Sequence, residues 1–420
     1  MTIVPKFKET ENGKIPPGWE VTIISNAIEV NPERALKKGS NAKSVAMQDL
    51  KEFNKKIQNF TIKSFRGGSK FKNEDTLMAR ITPCLENGKT AFVDILEKEE
   101  IGFGSTEFIV LSGKPEKTTN EFVFYLSISP KLRSEAIQSM SGTSGRQRIQ
   151  TDLFRSKEIA IPKIFEQKAV VKILSDLDSK IELNNQTNRT LEQIAQTLFK
   201  HWFVDFEFPN VEGKPYKSSG GKMIESGLGL VPEGWKVRSL DQIADFLNGL
   251  ALQKYPPAGE DFLPVIKIRE LRQGVTVDSD KADISIPDEY IVEDGDVLFS
   301  WSGSLEVVIW CGGPGALNQH LFKITSKEYP KWFFYQWTKY HLTEFQLIAE
   351  GKATTMGHIQ RHHLTEAKIL VPQRAILEKI NKIMAPKFEL LVNNKIEIRN
   401  LTQIRDSLLP KLMSGKIRVS

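Results

Sequence analysis

The sequence predicts an α+β protein in which two tandem, pseudo-symmetric domains are separated by two long antiparallel coiled-coil helices. Three observations predict this fold class. One motif occurs twice, weaker matches follow it in the same order, and two unbroken runs have helical periodicity. The motif is "IPPGWEV" at Ile15–Val21 and "VPEGWKV" at Val231–Val237. A chain of 420 residues is long enough for two or three such domains.

The second half of the chain repeats the order of the first. An offset of 216 residues aligns Trp19 with Trp235, and we expect each Trp to anchor a first strand in its core. Five further pairs of segments align at offsets between 210 and 221: Ala46–Leu50 with Lys267–Leu271, Asp75–Arg80 with Asp296–Trp301, Gly104–Leu111 with Leu317–Ile324, Ile149–Pro162 with Ile359–Pro372, and Leu191–Phe199 with Leu401–Leu409. The changing offsets indicate different loops on a shared scaffold. This pattern predicts one task performed on two different targets.

The motifs and the helical runs divide the chain into six parts. These are an N-terminal tail at 1–14, a first domain at 15–164, a central spacer helix at 165–208, a linker at 209–230, a second domain at 231–373 and a C-terminal spacer helix at 374–418. Short apolar strands such as Phe108–Ser112 and Val265–Ile268 are bounded by Gly, Pro and Asp, and a helix follows late in each domain. Each domain is therefore expected to be α+β.

Residues with 4-3 spacing predict one long helix after each domain. The first seam contains Val170, Leu174, Leu177, Ile181, Asn184, Asn188, Leu191, Ala195, Leu198 and Trp202. The second contains Ile376, Ile380, Ile383, Lys387, Leu390, Asn394, Glu397, Leu401, Ile404 and Leu408. About 34 helical residues span ~50 Å, and a pseudo-twofold repeat favours antiparallel pairing. The alternative is two amphipathic helices that each pack on their own domain.

Two features of these helices predict local detail. An Asn in a coiled-coil seam fixes the register of the pair, and the Asn pairs at 184–185 and 393–394 occupy equivalent points of the repeat. Pro386 lacks a backbone donor and is expected to kink or offset the second helix.

The first helical run ends in the aromatic segment "LFKHWFVDFEF" at Leu198–Phe208. Five aromatic side chains in eleven residues exceed what one helix pair can bury. They form either a local core or a surface for a partner, and the sequence leaves both open. The candidate partner-binding residues are Phe199, Trp202, Phe203 and Phe206, with Leu409 and Leu412 near the end of the second run.

Positive charge is concentrated in the first domain. The net charge is +6, and the segment Arg34–Lys72 holds eleven Lys and Arg residues against two acids, Asp49 and Glu52. Such a patch attracts polyanions, because phosphate contacts release counterions. On charge alone, a solvated lysine-rich face explains the segment equally well.

A polar loop lies late in each domain, at Ser141–Ile149 and Glu350–Ile359. Arg146, Arg148 and Lys352 in these loops are candidates for phosphate contacts. Polar or planar side chains at strand ends are candidates for reading bases, because Arg can pair with guanine and Gln with adenine. The remaining DNA-binding candidates are Lys43, Arg66, Lys70 and Arg80 in the first domain, and Lys267, Arg269, Trp301, Ser302, Gln319 and His320 in the second.

No catalytic or metal-binding pattern stands out. There is no Walker A sequence, no GxGxxG after a strand and no HExxH, and the six histidines form no ligand spacing with Cys84 and Cys311. The N-terminus lacks the apolar core of a signal peptide, and no apolar run approaches the ~20 residues of a membrane span. We therefore expect a cytoplasmic protein with no catalytic residue, no metal site and no membrane contact.

These features together resemble the specificity subunit of type I restriction–modification systems. The strongest similarity lies in Gln167–Phe206, which resembles the central spacer helix of that family. Gly295–Val307 ("GDVLFSWSGSLEV") and Leu408–Ile417 ("LLPKLMSGKI") also resemble family signatures, as do both copies of the Gly-Trp motif. The resemblance covers nearly the whole chain; Pro386 and the linker depart from it.

The resemblance implies that each domain is a target recognition domain that reads one half of a split sequence in double-stranded DNA. It implies that the helices set the gap and dock two copies of a DNA methylation subunit, which bind S-adenosylmethionine. A motor and nuclease restriction subunit would join for cleavage. This chain would be non-catalytic and would bind no cofactor itself. The helices alone fit a second hypothesis, a coiled-coil scaffold that joins proteins without reading DNA.

Overall fold

The computed structural model describes residues 8–10, 13–143, 145–351 and 357–419. The chain forms two compact units. Unit 1 consists of Met1–Lys180 and Leu401–Ser420, and unit 2 consists of Ile181–Asn400. The division passes through both long helices, so each unit contains a part of each helix. The predicted limits, which place the helices outside the two domains, therefore differ from this division.

Unit 1 is built around two four-stranded sheets. The first has the antiparallel order Ile28–Val30, Phe108–Gly113, Thr76–Ala79 and Thr90–Phe92. The second has the order Thr61–Ser64, Asn41–Val45, Gly102–Gly104 and Ser69–Phe71, in which the middle pair is parallel. Two-stranded pairs join Glu20–Ile23 with Glu158–Ile161, and Met140–Ser141 with Arg148–Ile149. The short helices are Ile24–Ala27, Met47–Asp49, Asn120–Ile128, Pro130–Gln138 and Thr151–Arg155.

Unit 2 has the same sheet topology. Its first sheet has the order Asp245–Asn248, Leu321–Thr325, Val297–Ser300 and Val307–Ile309. Its second has the order Lys281–Ala282, Leu263–Ile266, Gly315–Leu317 and Ile291–Val292, again with a parallel middle pair. Lys236–Ser239 pairs with Lys368–Val371. The helices are Leu240–Ile243, Leu252–Lys254, Ile268–Gln273, Asp288–Tyr290, Lys331–Glu350 and Arg361–Glu366.

The internal repeat extends to individual hydrogen bonds. At the offset of 221, the Lys72 N–H donates to the Asp75 carboxylate at 2.8 Å, and the Glu293 N–H donates to the Asp296 carboxylate at 2.9 Å. Each carboxylate thereby closes the turn that enters a buried central strand. The tandem α+β arrangement and the predicted alignment of Asp75–Arg80 with Asp296–Trp301 are therefore confirmed.

A hairpin that was not predicted from the sequence precedes each Gly-Trp motif. Lys8–Thr10 pairs with Gly13–Ile15, and Met223–Ser226 pairs with Gly229–Pro232. The Lys8↔Ile15 register corresponds to Ile224↔Val231 at the same offset of 216 that aligns the two Trp residues. The segments predicted as an N-terminal tail and a linker thus contain part of the repeat. These strands have only three or four residues each and lie among polar residues, so the sequence pattern did not predict them.

The linker also folds back on unit 2 ahead of its hairpin. The Tyr216 ring stacks on the Phe208 ring with centroids 4.6 Å apart, and the Tyr216 N–H donates to the Phe208 carbonyl at 3.0 Å. Phe208 is buried. The segment is therefore not an extended connection.

The two long helices are Ile164–Phe199, which continues into a π-helical turn at Lys200–Val204, and Arg374–Met413. In unit 1, Asp178 accepts a hydrogen bond from Arg405 at 2.9 Å. In unit 2, Asn184 donates to Glu397 at 2.8 Å, and Asn394 donates to Asn188 at 3.0 Å. Residue numbers in the first helix rise from Asn184 to Asn188 while those of their partners fall from Glu397 to Asn394. The helices therefore pair antiparallel, as predicted.

The predicted seam is correct for the first helix and one residue out of phase along parts of the second. Met384, Leu391, Arg405 and Leu409 are buried, whereas the predicted neighbours Ile383, Leu390 and Ile404 are exposed and Leu408 is only partly buried. Adjacent helical residues point about 100° apart. Because several of these adjacent pairs are both apolar, the pattern alone could not choose between the two phases.

Pro386 does not interrupt the second helix, which is continuous from Arg374 to Met413. A proline inside a helix removes one hydrogen bond and costs about 3 kcal/mol. Met384 and Leu391 are buried on either side of it, and burying each such side chain stabilises the fold by about 1.5–3 kcal/mol. Tertiary packing therefore offsets the local tendency of Pro386 to break the helix. The kink or offset expected at Pro386 stays a prediction.

Each unit has its own apolar core. Trp235 belongs to the core cluster of unit 2, and Trp19 is buried in unit 1. Trp19 and Trp235 are buried, in agreement with the structural role predicted for them. Strands Thr76–Ala79 and Val297–Ser300 are buried on both faces. Among the described residues, no helix combines the length and apolar character needed to cross a membrane.

Candidate nucleic-acid interface

In unit 1, Arg80, Ile81, Glu107 and Arg148 meet where the strand Thr76–Ala79 ends; we call this set the unit 1 strand-end site. The Arg80 N–H donates to the Glu107 carbonyl at 2.9 Å, and the Arg80 carbonyl accepts from the backbone of residue 149 at 2.9 Å. Ile81 forms a β-bridge with Arg148. These backbone bonds fix the predicted polar loop against the end of a buried strand.

Arg148 and Glu107 form an ion pair in this site. Arg148 Nε lies 3.0 Å from both carboxylate oxygens of Glu107, and its Nη2 donates to Oε1 at 2.8 Å. The hydrogen bonds to Glu107 raise the pKa of Arg148. The Arg148 side chain nevertheless remains 44% exposed. A charged guanidinium is therefore held in a fixed orientation at the surface.

The other two Arg candidates nearby, Arg80 and Arg146, differ in how far their side chains are engaged by the protein. Arg80 Nη2 donates to the Ile149 carbonyl at 3.1 Å, and its Nε is buried without a partner among the described residues. Arg146 is exposed, and its side chain makes no hydrogen bond or ion pair with the described residues. Arg80 is thus partly built into the structure, whereas Arg146 is available to a ligand.

In unit 2, the corresponding set is Trp301, Ser302, His320 and His358, which we call the unit 2 strand-end site. The Trp301 N–H donates to the His320 carbonyl at 3.3 Å, and Ser302 forms a β-bridge with His358. Ser302 Oγ lies 3.0 Å from His320 Nδ1. The Trp301 indole N–H donates to Asn248 Oδ1 at 2.8 Å. The predicted candidates Trp301, Ser302 and His320 are therefore brought together.

Gln319 lies beside this group, with its Nε2 3.4 Å from His320 Nε2. The unit 2 site thus combines an indole, imidazoles, a hydroxyl and an amide. Such side chains can donate and accept hydrogen bonds at base edges.

The two strand-end sites share their backbone connections and differ in every side chain. The repeat places Arg80 at the position of Trp301, Glu107 at that of His320, and Arg148 at that of His358. Glu107, His358 and Asn248 were not among the predicted candidates. The alignment offsets could have found the first two, since Glu107 is paired with His320 and His358 with Arg148.

Unit 1 also carries a group of exposed or half-buried cations on or next to the two edge strands of its second sheet, Thr61–Ser64 and Ser69–Phe71. Backbone hydrogen bonds of 2.9 and 2.8 Å join Gly39 and Ser40 to Phe65, so the turn at residues 37–40 lies next to Arg66. Lys70 Nζ lies 5.8 Å from the centre of the Phe65 ring. We call the group the basic edge: Lys37, Lys38, Lys63, Arg66 and Lys70. None of them has an ion-pair partner among the described residues, so their charge remains available to an anion.

Other cations of the predicted patch are neutralised within unit 1. Lys43 donates to Glu100 at 3.1 Å and to the Ile95 carbonyl at 2.9 Å. Arg34 donates to the buried Asp75 at 3.0 Å. These contacts stabilise unit 1. The charge of Lys43 is paired with Glu100, and a DNA contact by Lys43 stays a prediction.

The cationic candidates of unit 2 are also engaged. Lys267 forms an ion pair with Asp280. Arg269 donates to Glu270 at 3.0 Å and to the Asp278 carbonyl at 2.9 Å, and its pKa is raised by Glu270. Within the described part of the chain, no hydrogen bond or ion pair joins either residue to the unit 2 strand-end site. Lys352 lies outside the described residues.

The predicted partner-binding residues belong to the cores instead. Phe199, Trp202 and Phe203 are buried in unit 2, and Leu409 and Leu412 are buried in unit 1. Phe206 is half-buried and packs against Trp235 with ring centroids 5.9 Å apart. Of the two alternatives that the sequence left open for the aromatic segment, the local core is therefore the one observed for Phe199, Trp202 and Phe203, and Leu409 and Leu412 are likewise buried rather than offered to a partner. The first helix ends against aromatic side chains from distant parts of the sequence, which the local pattern could not reveal.

Among the residues that the structure describes, one cluster has ligand atoms close enough to consider a metal. The ligand atoms of His362, His363 and Glu366 lie within 4.8 Å of one another. However, the Gln360 N–H donates to His363 Nδ1 at 2.9 Å. The neutral ring then carries its proton on Nε2, whereas a metal ligand needs that nitrogen unprotonated. The cluster does not fit a metal site.

Comparisons with known proteins agree with the repeat. Residues 3–193 and 232–403 each match the type I restriction modification DNA specificity domain. The chain is 28% identical over 438 residues to the type I restriction enzyme MjaIX specificity subunit of Methanocaldococcus jannaschii, covering 99% of this chain and 97% of that one. It is 26% identical over 422 residues to the HindI specificity subunit of Haemophilus influenzae, covering 85% and 90%.

A solved structure shows the same fold. The type I restriction-modification system S subunit from M. genitalium superposes with a TM-score of 0.53 at 16% identity, covering 98% of this chain and 99% of that one. The two specificity-domain matches together span most of the sequence and coincide with the structural repeat. The chain therefore belongs to the family of type I restriction–modification DNA specificity subunits.

Proposed function

We propose that this chain is the subunit that selects a split DNA target, with unit 1 reading one half and unit 2 the other. The main support is the pair of strand-end sites. They share backbone hydrogen bonds at equivalent positions, yet carry Arg80, Glu107 and Arg148 in one unit and Trp301, His320 and His358 in the other. The same backbone hydrogen bonds with different polar side chains suit the same kind of base contact on two different base sequences.

The basic edge supplies the less specific part of binding. Five cations without ion-pair partners among the described residues can contact phosphates and release counterions. Phosphate contacts position a protein on the duplex, whereas base-edge contacts select the sequence. We assign Arg146 to the phosphate contacts.

The assembly that we propose contains two copies of a DNA methylation subunit and a motor and nuclease restriction subunit. S-adenosylmethionine would bind to the methylation subunits and not to this chain. The long helices would dock the methylation subunits and set the gap between the half-sites. This chain would be non-catalytic and would act in the cytoplasm.

The test is sequencing of modified bases in host DNA with and without this chain. We expect adenines to be modified on the two strands of a motif whose halves are separated by a fixed gap. The purified chain alone should neither methylate nor cleave DNA. Modification of one continuous short sequence would contradict the proposal.

Binding measured across salt concentrations separates DNA readout from a purely structural scaffold. If the chain contacts phosphates, the logarithm of the association constant falls linearly with the logarithm of the salt concentration. A scaffold that only joins proteins would show no salt-dependent binding to duplex DNA.

A further inference from the structure

Arg148 lies on a short two-stranded β-ribbon, formed by Met140–Ser141 and Arg148–Ile149. Met140 pairs with Ile149, and Ser141 pairs with Arg148. The major groove admits a two-stranded β-ribbon, and each base pair presents a distinct pattern of donors and acceptors there. Arg148 and Arg146 are both exposed on this ribbon and its loop. The ribbon can therefore bring a guanidinium to base edges.

The ion pair with Glu107 leaves one edge of the Arg148 guanidinium open. Glu107 is contacted by Nε and Nη2. Nη1 makes no hydrogen bond with the described residues, and Nη2 keeps a second hydrogen. The Nη1–Nη2 edge therefore presents two parallel donors. Guanine offers two neighbouring acceptors, O6 and N7, on its major-groove edge, and Arg matches them with two hydrogen bonds.

The backbone bonds of the strand-end site do not require this ion pair. The equivalent positions in unit 2 are His320 and His358, and the same backbone bonds form around them with two imidazoles in place of the carboxylate and the guanidinium. The Glu–Arg pair is thus a feature of unit 1 alone, at a position where the two units differ in readout.

We propose that Arg148, positioned by Glu107, reads a guanine in the half-site contacted by unit 1. The inference rests on the proposed function of the chain. Glu107 is a positioning residue: it restricts the guanidinium to one orientation before DNA arrives, which reduces the conformational entropy lost on binding. Arg146 has no carboxylate partner among the described residues and serves as the matched comparison, because its role is a phosphate contact.

The experiment selects bound sequences from randomised duplex DNA, using the full-length chain assembled with its methylation subunits. Wild type should select a split motif with guanine at one position of one half. Arg148→Ala and Arg148→Lys should lower the preference for that guanine on the order of ten- to a hundredfold and leave the other positions unchanged. Glu107→Gln should lower the preference at the same position by a smaller factor, with the thermal transition unaltered.

Two controls give the result its meaning. Arg146→Ala should weaken binding to all sequences about equally. Trp301→Ala should change preference only in the other half. If Arg148→Lys keeps the full guanine preference, or if Arg148→Ala weakens all sequences equally as Arg146→Ala does, Arg148 is a phosphate contact and this inference is wrong. If wild type selects no split motif, the proposed function itself fails.

Discussion

The aromatic residues at the end of the first long helix show how neighbours decide the role of a side chain. Phe203 has ring centroids 5.6 Å from Trp235, 5.6 Å from Phe333 and 6.0 Å from Trp337. It is one of the most completely buried side chains in unit 2. Aromatic pairs at these distances stabilise a core beyond their buried area. Phe203 therefore stabilises unit 2 and presents no surface to a partner.

We predict that Phe203→Ala lowers the free energy of unfolding by about 3–5 kcal/mol, because it leaves a cavity among large rings. Chemical denaturation followed by Trp fluorescence would measure it. Phe165→Ala is the matched control, since Phe165 is 61% exposed, and its effect should stay within about 0.5 kcal/mol. An unchanged unfolding free energy in Phe203→Ala, combined with loss of partner binding, would contradict the assignment.

The paired helices carry polar groups in their seam. In unit 2, Asn188 accepts from Asn394 at 3.0 Å, and both are buried. In unit 1, Asp178 accepts from both Tyr125 and Arg405, and burial together with Asp178 raises the pKa of Tyr125. A buried polar pair is satisfied only when its partners are opposite each other. These contacts therefore specify one antiparallel register over its alternatives.

We predict that Asn188→Leu destabilises unit 2 by about 1–3 kcal/mol, because the Asn394 amide then remains buried without its acceptor. The double variant Asn188→Leu, Asn394→Leu should cost less than the sum of the single changes. Denaturant unfolding of the four proteins of this cycle gives the coupling energy. Asn393→Leu, at an exposed position, is the control. Additive effects would show that the two amides do not interact.

Over the whole molecule, the two units differ in charge although they share a topology. Unit 1 carries the basic edge, whose cations have no ion-pair partners among the described residues. In unit 2, Lys267, Arg269 and Arg272 are each paired with an acid. We infer that unit 1 supplies more phosphate contacts, and unit 2 relies more on the uncharged groups of its strand-end site.

We predict that the double change Lys37→Gln, Lys38→Gln makes the salt dependence of DNA binding shallower. Each phosphate contact that is lost reduces the slope of log K against log salt by about 0.9. The preferred sequence should not change, since phosphate contacts carry no base information. Lys267→Gln is the matched control and should leave the slope unaltered, because Lys267 is already paired with Asp280. Fluorescence anisotropy with labelled duplex DNA would measure both.

The sequence by itself determined the tandem α+β fold, the two long helices and the loops that carry the strand-end sites. These features rest on local periodicity and on a repeat that can be aligned. The alignment also pairs Glu107 with His320, although only His320 was selected as a candidate. Pattern alone also found Trp301, Ser302 and His320, because all three lie near strand ends.

Only the tertiary structure decided which groups meet. Glu107 and Arg148 are 41 residues apart, and no local pattern shows that their side chains form an ion pair. The choice between Leu390 and Leu391, and the burial of Phe203, likewise depend on surfaces from distant segments. Periodicity predicts which face of a helix is buried, but the predicted positions can be wrong by one residue along the sequence. The partner in that direction is set by packing, which is long-range and cooperative.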